Sequence, residues 1–303
     1  MIKRTICIEN PCHLKFRNEQ LIVNYEHIKG YEGREERVVP VEDIGMLVLE
    51  NQQITLSHYL LDRLVNNNVA VIICNETHHP TGMMLPLEGN TIQSERFRAQ
   101  IDATEPLKKQ LWQQTVKAKI YNQAALFRQW KINDKLLVNL AEGVKSGDTD
   151  NREAVAAAYY WQNLFPDKWQ FFRKREGAPP NNLLNYGYAI IRASMARAIV
   201  GAGLLPTLGI FHRNRYNAYC LADDIMEPYR PFVDMAVRNI IHTTSNIETL
   251  TPAFKATLLK IPVTDVLIND EKSPLMIAMQ RTAYSLAKCY SQEQRKILYP
   301  MMP

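Results

Sequence analysis

Apolar and polar positions change their rhythm once along this chain, close to residue 95. Before that point, short runs rich in Val, Ile, Leu and Tyr recur as TICIE, LIVNY, RVVPVED, GMLVLE and VAVIIC. They are separated by turn material such as the Gly30 to Gly33 stretch, and runs of this length and composition predict β-strands. One segment differs: ITLSHYLLDRLVNNN places Ile54, Leu56, Leu60, Leu61 and Leu64 at helical spacing and predicts an amphipathic helix.

CNETHHPTGMMLPLEGN follows, where Pro80, Gly82, Pro86 and Gly89 disfavour regular structure and predict a link between domains. From Glu95 onward the period is helical, through Lys108 to Trp130, Asp134 to Ala141, Asn151 to Trp161, Leu184 to Val200 and Ala218 to Ile241. The expected architecture is α+β: a small N-terminal β domain over residues 1–95, then a larger all-α C-terminal domain over residues 96–303. A chain of 303 residues with 46% hydrophobic content is long enough to fill two such cores.

Composition narrows the classes. The longest apolar run, Ala189 to Leu205, is interrupted by Arg192, Ser194 and Arg197, so it does not reach the ~20 apolar residues of a membrane span. Lys3 and Arg4 lead into TICIENP rather than an apolar core, so no secretory leader is expected. The five cysteines, Cys7, Cys12, Cys74, Cys220 and Cys289, form no C-x-x-C pair, which argues against a disulfide framework and for a cytoplasmic protein.

Charge separates the two regions. Residues 1–100 hold 10 Lys+Arg against 13 Asp+Glu, whereas residues 101–303 hold 26 against 18. A basic helical region that gathers carboxylates around a histidine has the composition of a nuclease: cations attract phosphates and buried acids hold a metal. The same charge also fits an ordinary solvated surface.

Candidate chemistry concentrates in GIFHRNRYNAYCLADDIMEPYRPFVD, residues 209–234. Asp224 and Glu227 lie three positions apart, which on a helix puts both on one face, within reach of one cation. Their neighbours Leu221, Ala222 and Pro228 are apolar, where an unpaired charge is costly. His212 adds a nitrogen ligand, and carboxylates with one imidazole suit Mg²⁺ or Mn²⁺. Glu153, in the first turn of an expected helix capped by Asp148 or Asp150, is the candidate third acid. Each has a plainer reading: acids three apart are common on solvated faces, a histidine near a helix end bonds backbone, and an acid in a first turn complements the helix dipole. Glu142 and Asp234 are competing acids with less specific surroundings.

Basic candidates for phosphate contact are Arg173, Lys174 and Arg175 in FFRKREG, with Arg192, Arg197, Arg213 and Arg215. Arg192 and Arg197 interrupt an apolar helix, so they pair with acids or face a polar groove. Tyr159, Tyr160, Tyr186 and Tyr188 offer stacking surfaces, although aromatics in apolar helices more often belong to the core.

Four blocks in order, VPVEDIGMLVLENQQITLSHYLLDRLVNNNVAVIIC, REAVAAAYYWQNLF, NNLLNYGYAIIRASMARAIVGAGLLPTLGIFHRN and LADDIMEPYRPFVD, resemble the CRISPR-associated endonuclease family Cas1 across nearly the whole chain. The resemblance implies a spacer integrase in which a DNA fragment's 3′ hydroxyl attacks a phosphodiester at the edge of a repeat. It implies Glu153, His212 and Glu227 as catalytic ligands of Mg²⁺ or Mn²⁺, with Asp224 either an alternative ligand or a residue that orients one. It further implies a homodimer formed through the β domain, double-stranded DNA as substrate, and a heterohexamer with a small ferredoxin-like adaptation subunit. The form DDIMEPYRP resembles the version found beside single-protein effector nucleases in type II systems, which makes the effector nuclease a candidate further partner. Asn181, Asn182 and Asn185 match the family's NNLLNYGY block, with a helix cap at Asn181 or Asn182 as the plainer reading. Two other readings remain open from the residues: a catalytically silent DNA-binding scaffold of the same complex, and an unrelated metallohydrolase.

Overall fold

The structure, a computed structural model, describes residues 3–78, 80–165, 171–174, 176–244 and 246–302. It divides into two compact units, 1–89 and 90–303. The expected boundary at 95 falls inside a helix that belongs to the second unit, and Asn90 ties the approach to that helix: its side chain accepts from Ile92 N and donates to Gly201 O.

The first unit contains β1 (Arg4–Ile8), β2 (Cys12–Arg17), β3 (Gln20–Asn24), β4 (Arg37–Pro40), β5 (Ile44–Leu49), β6 (Ile54–Leu56), α1 (His58–Asn66), β7 (Ala70–Cys74) and β8 (Pro80–Met84). Two four-stranded sheets result, in the orders β1-β5-β7-β8 and β4-β3-β2-β6. β5 is buried along its whole length, as the central strand of a parallel trio needs an uninterrupted apolar run. β2 and β3 join through Asn18 and Glu19, both at positive φ, the two-residue turn that matches strand twist. α1 starts where the Ser57 hydroxyl accepts from Leu60 N, and it buries Leu60 and Leu64 against Leu14, Leu21 and Leu47. The region expected to be an irregular link contributes β8, since Gly82 and Met83 pair antiparallel with Ile73 and Ile72.

The second unit is helical: α2 (Gln93–Ile101), α3 (Glu105–Gln129), α4 (Lys135–Glu142), α5 (Arg152–Leu164), α6 (Asn181–Gly201), α7 (Cys220–Ile225), α8 (Arg230–Thr243), α9 (Pro252–Leu259) and α10 (Leu275–Tyr290). It also carries a hairpin that the all-α expectation missed, β9 (Asp265–Ile268) and β10 (Glu271–Pro274), turning at Asn269 and Asp270. α6 is buried nearly all round, which explains why its sequence is apolar without a polar face. The one helix expected over Ala218 to Ile241 is three pieces: α7, a 3-10 turn at Glu227–Tyr229, and α8. Pro228 lacks an N–H and Pro231 opens α8, so the α-helical ladder cannot run through. Among the described residues no helix is long and apolar enough to cross a membrane.

Candidate metal centre

Glu153, Glu227 and His212 come from three separate elements. Glu153 sits in the first turn of α5, where the Asp148 carboxylate accepts from Arg152 N at 2.9 Å and Glu153 N at 3.0 Å. Asp150 does not share this task; it pairs with Lys145 at 2.8 Å. Glu227 opens the 3-10 turn, held to α3 by Asn122, whose side chain donates to Pro228 O at 2.8 Å. His212 lies in the loop between α6 and α7.

The break at Pro228 sends Asp224 and Glu227 to different partners, contrary to the shared helical face that their spacing predicts. Asp224 is fully buried and turns toward the loop: its carboxylate accepts from Phe211 N at 2.9 Å, from His212 N at 3.3 Å and from the His212 ring at Nδ1. With Nδ1 so engaged, Nε2 is the imidazole nitrogen left for a ligand. Burial pushes the Asp224 carboxyl up, and hydrogen bonding to Asp224 raises His212, so the pair keeps its shared proton to higher pH than a free imidazole. The imidazole edge also meets the rings of Phe211 and Trp112, which stack on each other at 4.3 Å. Gly209 is required here: a Cβ would lie 2.4 Å from His212 O and 2.8 Å from Asp224 Oδ2.

Glu227 turns the other way, into a buried cluster of charge. Lys119 on α3 meets both Glu153 Oε1 and Glu227 Oε2, the latter at 2.6 Å. Arg230 Nε approaches Glu227 Oε1 at 2.8 Å, and Glu227 Oε2 has no hydrogen-bond partner beyond that lysine ion pair. Burial opposes ionisation of Glu227, but Arg230 and Lys119 outweigh it and hold the carboxyl below its ordinary value. Burial likewise pulls the Lys119 ammonium down, and Glu227 and Glu153 more than restore it. Glu227 and Lys119 are therefore held as a charged pair. Arg230 is fixed in turn over the Tyr188 ring at 4.7 Å, and Tyr188 and Tyr160 both donate to the buried carboxylate of Asp234.

The potential ligand atoms of Glu153, His212 and Glu227 do not all lie within 4.8 Å of one another. Among the described residues only Cys7, Glu9 and Glu50 of the first unit form such a group. The Lys119 ammonium lies between the two glutamates, and Asp224 pairs with the His212 ring.

The basic candidates separate by placement. Arg173 is half-buried: it donates to Asn181 Oδ1 and Asn185 Oδ1 at 2.7 and 2.9 Å, and burial lowers its pKa. Those asparagines hold the segment before α6 rather than capping the helix, whose N-cap position is Pro180 without a side-chain bond. Arg197 is 2% exposed and is removed from any surface path for DNA. Arg192 makes a bidentate pair with Asp223 at 2.6 and 2.9 Å. Arg213 reaches Glu105, Arg215 lies over Tyr216, and both are exposed, as is Lys174. Arg175 lies outside the described residues. Tyr160, Tyr186 and Tyr188 are buried, which makes them core, whereas Tyr159 donates to Asn133 O. A cavity of about 490 Å³ beside His212 is lined by Lys108, Glu105, Arg213 and Arg215, among others.

Sequence reasoning missed Lys119, Arg230, Trp112 and Asn122. Lys119 had a signal: it shares a helical face of α3 with Trp112, Val116 and Gln123, and a lysine buried on such a face requires acids. Asp234 was undervalued, because only the fold brings two tyrosines to it.

The sequence matches the family described as CRISPR associated protein Cas1 over residues 6–249. It is 38% identical to the CRISPR-associated endonuclease Cas1 of Neisseria meningitidis over 263 residues, covering 86% of this chain and 83% of that protein. It is 27% identical to a Cas1 endonuclease of Pyrobaculum aerophilum over 278 residues, 86% and 92% of the two chains. The chain belongs to the Cas1 family.

Solved structures agree in fold. A casposase bound to integration product superposes with a TM-score of 0.78 at 20% identity, covering 98% of this chain and 92% of that one. A Cas1 protein from Thermotoga maritima gives 0.74 at 17% identity, covering 96% and 98%. A complex titled Cas6-RT-Cas1–Cas2 gives 0.72 at 20% identity, with 97% of this chain matched to 35% of that one.

Proposed function

We propose that this chain is a metal-dependent DNA endonuclease and integrase that inserts short DNA fragments into a CRISPR repeat array, with Glu153, His212 and Glu227 as its Mg²⁺ or Mn²⁺ ligands. The observation that carries the reading is the pairing of two preparations on neighbouring elements. His212 has its Nδ1 committed to Asp224, and Glu227 is buried, ionised and leaves Oε2 without a hydrogen bond beyond its lysine ion pair. Two carboxylate oxygens and one imidazole nitrogen are a fitting donor set for a hard divalent ion.

When bound, such an ion makes an attacking 3′ hydroxyl more acidic and neutralises charge on the phosphate. The chain's own residues orient and bind. Asp224 fixes the imidazole, Arg230 and Asn122 fix Glu227 and its turn, and the exposed Arg213, Arg215 and Lys174 attract the DNA backbone. The transfer is balanced: the attacking 3′ oxygen gives up its proton and forms a bond to phosphorus as the existing P–O bond at the repeat edge breaks, and the displaced strand's 3′ oxygen leaves and takes up a proton. No nucleotide is consumed.

The same reading includes a homodimer through the β unit and a small ferredoxin-like adaptation subunit completing a heterohexamer. The DDIMEPYRP block supports a type II system, with the effector nuclease as a candidate further partner. The decisive experiment is fragment integration into a supercoiled plasmid bearing the repeat array, with Mn²⁺ or Mg²⁺. His212→Ala abolishes strand transfer while leaving a salt-sensitive gel shift on duplex DNA; undiminished integration by His212→Ala overturns the assignment.

A further inference from the structure

We infer that Lys119 is the resident counter-ion of the metal centre, and that a divalent ion binds Glu153 and Glu227 only by displacing its ammonium. The inference rests on the metal reading above and deepens it, since it concerns how the ion gains access to its ligands.

The argument starts from the oxygens. Lys119 Nζ contacts Glu153 Oε1 and Glu227 Oε2, so the two acids are bridged by one cation already. A Mg²⁺ or Mn²⁺ ion sits at about 2.1 Å from a carboxylate oxygen, so it would claim the same space. Glu227 cannot turn its other oxygen to the ion instead, because Oε1 is engaged by Arg230, which is itself fixed over Tyr188. An ammonium and a divalent ion crowded between the same oxygens repel strongly where water is scarce, and Lys119 is 8% exposed.

Charge balance gives the same answer. Two carboxylates with Lys119 and Arg230 sum to neutrality, so the metal-free cluster is satisfied in a buried setting that would otherwise hold an uncompensated carboxylate pair. His212 stands outside this arrangement, its Nδ1 held by Asp224. The imidazole is thus prepared in advance while the carboxylates are occupied, and ion entry is controlled at Lys119. The lysine holds the fold together without metal and weakens metal affinity as a direct consequence.

The test uses the full-length protein at one fixed pH and ionic strength. Mn²⁺ is titrated calorimetrically into wild type, Lys119→Met, Lys119→Arg and His212→Ala. Lys119→Met is expected to bind Mn²⁺ about tenfold more tightly, Lys119→Arg to stay near wild type, and His212→Ala to bind more weakly. In parallel, acylation of Lys119 in wild type is followed by mass spectrometry, with labelling expected to rise when saturating Mg²⁺ is added. That second measurement decides the matter if Lys119→Met does not fold. Mn²⁺ affinity in Lys119→Met equal to or below wild type, or Lys119 labelling indifferent to Mg²⁺, overturns the inference. If His212→Ala weakens binding while Lys119→Met changes nothing, displacement alone fails; if His212→Ala leaves binding intact, the metal reading fails with it.

Discussion

Asp224 illustrates how one residue can serve a site without touching its ligand. Its carboxylate receives two backbone N–H groups and an imidazole, so the loop from Gly209 and the orientation of His212 depend on the same atoms. Asp224→Ala strands those buried donors and is expected to cost roughly 3 kcal/mol of stability. Mn²⁺ affinity should fall by about 10- to 100-fold, because an unanchored histidine loses its preset tautomer. Thermal melts together with Mn²⁺ titration check both effects, and an unchanged affinity would reduce Asp224 to a loop anchor. Asp234 makes a pH prediction. Burial raises its carboxyl from 3.8 to about 6, despite the Tyr188 and Tyr160 hydroxyls that pull it down. Because the folded pKa is the higher one, the fold binds the proton more tightly than the unfolded chain does. This contribution is therefore complete below 3.8 and lost as pH rises through about 6. Its size is roughly 3 kcal/mol. Urea midpoints of wild type should fall relative to those of Asp234→Asn between about pH 4 and pH 7, and parallel profiles would refute it.

At the level of elements, the site depends on helices approaching closely. Gly187 lets α6 lie against α8: a Cβ there would stand 2.4 Å from Val233 Cγ1, a buried β-branched side chain with little rotamer freedom. Gly187→Ala would stabilise an isolated helix by about 1 kcal/mol, so a net loss identifies the packing clash. The expected loss is ~1–3 kcal/mol in a denaturant melt, with partial recovery in the double variant Gly187→Ala, Val233→Ala. α8 was legible as a helix from its period. Its separation from α7 was legible only in hindsight, although Pro228 and Pro231 carry the reason in plain view. Period counts apolar spacing and says nothing about a missing N–H, so Glu227 was assigned to the Asp224 face when the turn points it at Lys119.

Across the helical unit, the segment after α10 braces the helix that carries Lys119. Ile297 N donates to Gln114 Oε1, the Tyr299 hydroxyl meets Thr115, and Met302 N donates to Asn122 Oδ1, all on α3. Asn122 also holds Pro228, so the chain's last described residues and the turn bearing Glu227 share one side chain. Removing residues 297–303 is expected to lower the melting temperature by several degrees, about 2–4 °C per kcal/mol lost in a domain of this size. It should weaken Mn²⁺ binding at the same time, which calorimetry on the truncated chain would register; full affinity would show that the tail is dispensable to the site. The family match over residues 6–249 ends before this tail begins.

By itself, the sequence determined the two-part division, most strands of the β unit, the helical second unit and the family, because periodicity, composition and ordered motif blocks are properties of local sequence. It also drew attention to His212, Asp224 and Glu227 among apolar neighbours, and the resemblance of the ordered blocks narrowed the candidate ligands to Glu153, His212 and Glu227. Only the tertiary structure decided that Asp224 serves the histidine, that Arg197 is buried and Arg173 tied to Asn181 and Asn185, and that Lys119 bridges the two glutamates. Those assignments depend on which side chains meet across α3, α5 and the Glu227 turn, and spacing along one segment carries no information about a charge arriving from another.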